Sequence, residues 1–175
     1  NPSHLQEFTM IEHYAAYWNF EDNMKFTEEL FSYLLKKLFG SLIISIKNKK
    51  GEKYSINFTP PWPKVSYHEI LKTDCDIDIS KYTTVSELKK ILKKKKLYTE
   101  DMKGLGYGNM IDVLYKTVSR EKIIQPTFLI YHPVDVSPLA RRRDKDPRVV
   151  DRFQLVVNGW EIVNAYSELV DPIDQ

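Results

Sequence analysis

The residue types able to do chemistry in this chain gather near its two ends. At the start, Phe8-Thr9-Met10-Ile11-Glu12-His13-Tyr14-Ala15-Ala16-Tyr17-Trp18 sets one carboxylate, Glu12, into a β-branched and aromatic run. Such a run suits a central strand, and strand alternation puts Phe8, Met10, Glu12, Tyr14 and Ala16 on one face. A carboxylate on an aromatic face must meet a cation, a hydrogen-bond donor or water, because burying it bare carries a heavy desolvation penalty. The chemistry this suggests is a pocket for a cation. At the other end, alternation points Asn164, Tyr166 and Glu168 the same way from a sheet. Taken with Glu12, they make a candidate amino-acid pocket.

The elements that must position these residues are legible in outline. Residues 152–157 and 160–167 are strand-like runs joined by Asn158-Gly159, which predicts a two-residue type I′ hairpin. Its simple register sets Gln154 beside Val163 and Val156 beside Glu161, which leaves Glu161 on the face opposite Asn164. For Glu161 to join the polar site, the second strand needs a bulge or turn between them. From Glu21 onward, Met24, Thr27, Leu30/Phe31, Leu34/Leu35 and Leu38/Phe39 form a helical stripe ending at Gly40. Residues 42–47 and 54–58 read as a hairpin around Asn48-Lys49-Lys50-Gly51. Ser66-x-x-Glu69 and Thr84-x-x-Glu87 have the capping-box form, so short helices should start after each, and residues 66–107 read as a small helical insertion. A helix is expected over 109–121 and a buried strand over 127–131, with Pro126 and Pro133 at its edges. Residues 138–150, charged and broken by prolines, read as a mobile surface loop.

Composition excludes several classes. The 175 residues carry 26 Lys plus Arg against 24 Asp plus Glu, a formal charge of +2 that announces no nucleic-acid partner and rules none out. The 42% hydrophobic content is that of a globular chain, with no apolar stretch long enough to span a bilayer. The lone Cys75 rules out an intrachain disulfide or a multi-cysteine zinc site. Gly104-Leu105-Gly106-Tyr107-Gly108 lacks a preceding strand and a phosphate-loop ending, so it reads as a flexible lead into the next helix. The lysines of residues 89–96 and Arg141-Arg142-Arg143 read as solvated surface, and His68 and His132 as satisfied or exposed side chains without a metal set.

Glu7-Phe8-Thr9-Met10-Ile11-Glu12-His13-Tyr14 resembles the returning strand of motif 2 in class II lysyl-tRNA synthetases. Further similarity lies in Gln125-Pro126-Thr127-Phe128, Val136-Ser137-Pro138-Leu139-Ala140-Arg141 and Asn164-Ala165-Tyr166-Ser167-Glu168-Leu169, in family order. The pairing of Ser137-Pro138-Leu139-Ala140-Arg141 with Tyr166-Ser167-Glu168-Leu169 separates the lysyl type from its aspartyl and asparaginyl cousins. The resemblance implies an α+β class II catalytic core, an antiparallel sheet flanked by helices, in a cytoplasmic, homodimeric enzyme. Such an enzyme activates L-lysine with ATP and Mg2+ and passes the lysyl group to tRNA(Lys).

Carried over residue by residue, the resemblance places His4 near the ATP phosphates, Phe8 on the adenine and Glu7 beside them. Glu12 would accept the lysine α-ammonium, and Tyr14 and Glu168 the ε-ammonium. Tyr166 would lie along the aliphatic stem, where members commonly have Phe, and Asn164 would place the carboxylate. Glu161 matches a magnesium-associated carboxylate, whose usual acidic partner is Gln154 here, and Trp160 stands where Arg is common. The motif 2 arginine, motif 1, motif 3 and an anticodon-binding domain are not among these residues, so the chain reads as part of a longer enzyme and as inactive alone. Two other readings remain open: an enzyme that lysylates a protein or small molecule through the same adenylate, and a non-catalytic regulatory paralogue.

Overall fold

The computed structural model describes residues 6–47 and 51–175. Helix α1 (Phe20–Phe39) starts from a capping box: Asn19 Oδ1 accepts from the N–H groups of Glu21 and Asp22, and the Asp22 carboxylate accepts from the Asn19 N–H. It stops at Gly40, whose left-handed φ of 67° lets its N–H close on the Lys36 carbonyl, as the stripe ending there predicts. Strands β1 (Ile43–Lys47) and β2 (Lys53–Asn57) form the expected antiparallel hairpin; Asn48, Lys49 and Lys50 of its turn lie outside the described residues.

Strand β3 (Lys64–Ser66) leads into α2 (Tyr67–Cys75), and α3 (Val85–Lys94) follows. Both predicted capping boxes are present, and hydrogen bonds from Ser66 and Thr84 hold the Glu69 and Glu87 carboxyls below their ordinary values. Then come α4 (Tyr107–Val118), β4 (Thr127–Ile130), β5 (Arg142–Arg143), β6 (Asp146–Val150), β7 (Arg152–Val157) and β8 (Trp160–Tyr166).

The sheet that carries the site runs β3-β4-β7-β8. β4–β7 and β7–β8 are antiparallel, as expected, while β3 and β4 are parallel. A parallel pair needs a long crossover, and α2, α3 and α4 supply it. Alternation sends Phe128, Ile130, Phe153, Leu155 and Val157 to one face, where they pack with Phe20, Met24 of α1 and with Ile56, Phe58 and Trp62. Leu129 and Val156 point to the other face, against Tyr67, Leu71, Met110, Ile111, Leu114 and Tyr115. With both faces covered, Phe128–Ile130 of β4 and Leu155–Val157 of β7 are continuous apolar runs. Phe128 and Phe153 meet edge to face, ring centroids 5.2 Å apart.

Three expectations are corrected. Residues 8–18 form no strand, and Phe8 and Tyr14 are 74% and 92% exposed. A strand exists only through pairing with a neighbour's backbone, and among the described residues no strand runs beside this segment. Residues 138–150 are an ordered β5–β6 ribbon and not a free loop. The Arg141, Arg142 and Arg143 guanidiniums reach Asp144, Asp174 and Asp151 at 2.8, 2.9 and 3.1 Å. Gly108 is no flexible lead but lies inside α4, where a Cβ would collide with the backbone of Asp135.

Candidate functional site

The β7–β8 hairpin is the frame of the site. Asn158 and Gly159 have φ of 52° and 73°, the pair of positive values a type I′ turn demands. The turn is tied down by its N–H groups, which donate to the carbonyls of Ile124 and Ile123, and by Tyr54, whose hydroxyl donates to Asn158 Oδ1. Val156 stands opposite Glu161 as the simple register predicts, but Gln154 stands opposite Asn164, because a bulge at Leu155/Val156 leaves Ile162 without a partner. Glu161 and Asn164, three residues apart, therefore share a face, which is the condition set for Glu161 to join the polar site.

On that face Gln154 Nε2 donates to Glu161 Oε2 at 2.9 Å, and His132 Nε2 lies 3.0 Å from Gln154 Oε1. A carboxylate only accepts, so the amide must turn its NH2 to Glu161 and its oxygen to His132, and the His132 proton must sit on Nε2. Burial pushes the His132 imidazole down to about 3, with the Arg152 charge acting in the same sense, so the ring is neutral. Glu161 Oε1 lies 3.7 Å from Arg120. The phenols of Tyr67 and Tyr115, buried beneath this corner, are held well above their usual range by burial first and by nearby carboxylates next.

His132 reaches Gln154 by an irregularity of its own. Leu129 is the residue of β4 opposite Gln154, and strict alternation would carry His132 to the other face. Tyr131 between them adopts a left-handed φ of 56°, and its ring is gripped by the Arg143 guanidinium at 4.0 Å.

Gln154, Glu161, Asn164 and Tyr166 thus line one face, with Asn164 Oδ1 bonded to Arg152 Nε at 2.8 Å and Arg152 opposite Tyr166. Glu168 lies just past β8, where it bridges to Ala140. Glu7, Phe8, Glu12 and Tyr14 lie in the exposed segment before α1 and make no hydrogen bond or ion pair among the described residues. His4 lies outside the described residues.

Glu161 and Gln154 do not fit a shared cation in this arrangement. The amide presents N–H to the carboxylate, and its own oxygen is taken by His132. Among the described residues no group of three His, Cys, Asp or Glu side chains is arranged to hold a metal.

Sequence reasoning missed Arg152 and His132. The signal for Arg152 was present, since alternation on β7 puts it on the Gln154 face. None existed for His132, whose approach depends on the backbone of Tyr131.

The chain matches, over residues 1–175, the family model described as tRNA synthetases class II (D, K and N). It is 41% identical over 174 residues to a lysine–tRNA ligase of Aquifex aeolicus, covering 99% of this chain and 28% of that protein. It is 42% identical to the one of Thermotoga sp. (strain RQ2), covering 98% and 32%. Against that of Listeria welshimeri the identity is 40%, covering 98% and 33%. The chain therefore spans 28% to 33% of the length of these three relatives.

Proposed function

The chain belongs to the class II tRNA synthetase family of the D, K and N type, and on that footing we propose that it supplies part of the catalytic domain of a lysine–tRNA ligase. The observation that carries this reading is a pairing. Ser137-Pro138-Leu139-Ala140-Arg141 and Tyr166-Ser167-Glu168-Leu169, the two stretches that separate the lysyl type from its cousins, run antiparallel to each other. Ala140 bridges Glu168, the Arg141 N–H donates to the Ser167 carbonyl, and the Leu169 N–H donates to the Leu139 carbonyl. The Ser167 hydroxyl also accepts from the Phe20 N–H, which ties the stretch to the start of α1.

In the proposed reaction the lysine carboxylate attacks the ATP α-phosphate, pyrophosphate leaves, and the lysyl-adenylate forms. The terminal ribose hydroxyl of tRNA(Lys) then attacks the lysyl carbonyl and AMP departs. Neither step needs a side-chain nucleophile, so the work of the protein is positioning and charge neutralisation. Glu168 and Tyr14 receive the ε-ammonium, Glu12 the α-ammonium, and the Tyr166 ring lies along the aliphatic stem. Asn164 addresses the carboxylate, Phe8 stacks on adenine, and Glu7 and His4 serve the nucleotide. ATP with Mg2+ is typical of this family. The Gln154–Glu161 pair as it stands does not fit the ion, and no step is routed through it.

The test is ATP–pyrophosphate exchange by the full-length protein with each standard amino acid in turn. Exchange with lysine alone is expected. No exchange by a folded protein that binds ATP would overturn the reading in favour of a regulatory paralogue.

A further inference from the structure

Asn164 is an exposed amide with one end already taken. The Arg152 Nε donates to its Oδ1 at 2.8 Å, from one pleat along β7 beyond the Gln154–Asn164 pair. A guanidinium has donors and no acceptor, so this bond decides which way the amide faces. The oxygen turns to Arg152, and Nδ2, with two N–H groups and no partner among the described residues, turns outward. Arg152 is itself restrained: it is half-buried, its Nη1 lies 3.5 Å from the Val136 carbonyl, and Glu161, Tyr67 and Asp112 surround it electrostatically. A group held at its far end can fix the rotamer of the one it touches.

We propose that Arg152 is a positioning residue that holds the Asn164 amide with its N–H groups facing the pocket, as donors for the carboxylate of the amino-acid substrate. The inference rests on the lysine reading above and adds the cause of the amide's orientation. Released from Arg152, the amide samples both orientations, and in one of them it offers the carboxylate a carbonyl oxygen, which repels it.

The experiment is isothermal titration of the full-length protein with L-lysine and with L-lysinamide, at mildly acidic pH where both ammonium groups of each ligand stay charged. Lysinamide replaces the carboxylate by a neutral amide and keeps the rest. Arg152→Met should weaken lysine about tenfold, the scale of one hydrogen bond to a charged group, and leave lysinamide within about twofold. It should add little in an Asn164→Ala background, because one residue acts through the other. Arg152→Lys, which keeps a donor, should recover part of the loss. Should Arg152→Met not fold, Arg152→Gln carries the same comparison. Equal loss for both ligands, or losses that multiply in the double variant, would overturn the proposal by making Arg152 merely structural. Lysine binding unchanged in the Arg152 variants would overturn it alone, leaving the functional reading in place. Wild-type protein that binds neither ligand would overturn that reading and this inference with it.

Discussion

Gln154 meets Glu161 as a donor, its Nε2 2.9 Å from Oε2, so that the position aligned with the usual second acid turns N–H groups to Glu161. Gln154→Glu removes that donor and sets two carboxylates side by side, where a hard divalent ion is the natural bridge. Titration with Mn2+ should then show at least about tenfold tighter binding than in the wild type, in line with the gain of one charged oxygen ligand. Unchanged binding would place the ion elsewhere.

Glu168 is exposed, and its tie to the fold is through its backbone bridge to Ala140. Glu168→Ala should therefore leave the melting temperature within a degree or so and raise the lysine KM by about 10- to 100-fold, the worth of a charge-assisted hydrogen bond. The ATP KM should not move. Steady-state exchange with each substrate varied in turn separates the two.

Phe8 is 74% exposed and supports no core. Its removal by Phe8→Ala should cost less than about 0.5 kcal/mol of stability. If the ring stacks on adenine, ATP affinity should fall by about 5- to 150-fold, since stacking of a base on an aromatic side chain is worth about 1–3 kcal/mol. Equal losses for ATP and lysine would remove it from the adenine.

Gly108 gives the opposite pattern. A Cβ there would meet the backbone of Asp135, which cannot swing aside as a side-chain tip can. Gly108→Ala gains about 1 kcal/mol of helix propensity and pays more in overpacking, for a net loss of about 1–2 kcal/mol. In thermal melting this should appear as a fall of about 2–6 °C, with substrate affinities unchanged.

What could be read in the residues alone was what is settled locally. Ser66 with Glu69, Thr84 with Glu87, and Gly40 each satisfy their own helix ends, and Asn158-Gly159 makes its own turn. The bulge followed from a local count combined with a chemical demand, that Glu161 and Asn164 share a face. The failures all involve a distant partner. Residues 8–18 have the composition of a strand, but a strand's hydrogen bonds come from its neighbour. Arg141 and Arg142 are exposed, as their surface reading has it, but Asp174 and Asp151, which Arg142 and Arg143 reach, are known only once the chain has folded back. Gly108 is needed by a segment 27 residues away. Alternation puts Arg152 on the Gln154 face, but Asn164 joins it only through the bulge at Leu155/Val156, so the Arg152–Asn164 bond follows only once the bulge is granted.

Gln154 is reached from either side only where a strand loses count, at Tyr131 on the way to His132 and at Ile162 between Glu161 and Asn164. Strand faces are counted in twos, so the site depends on parity more than on the identity of the residues that supply it. The side chain of Ile162 is largely free to vary, because the bulge comes from one extra residue and not from its type. Closing the bulge with Ile162 in place would set Gln154 beside Val163 and put Asn164 on the face opposite Glu161, whereas deleting Ile162 would leave Glu161 and Asn164 two residues apart and still on one face. Relatives that keep this corner should therefore carry either a bulged residue of any type between Glu161 and Asn164 or one residue fewer there, and not a regular ladder of the same length.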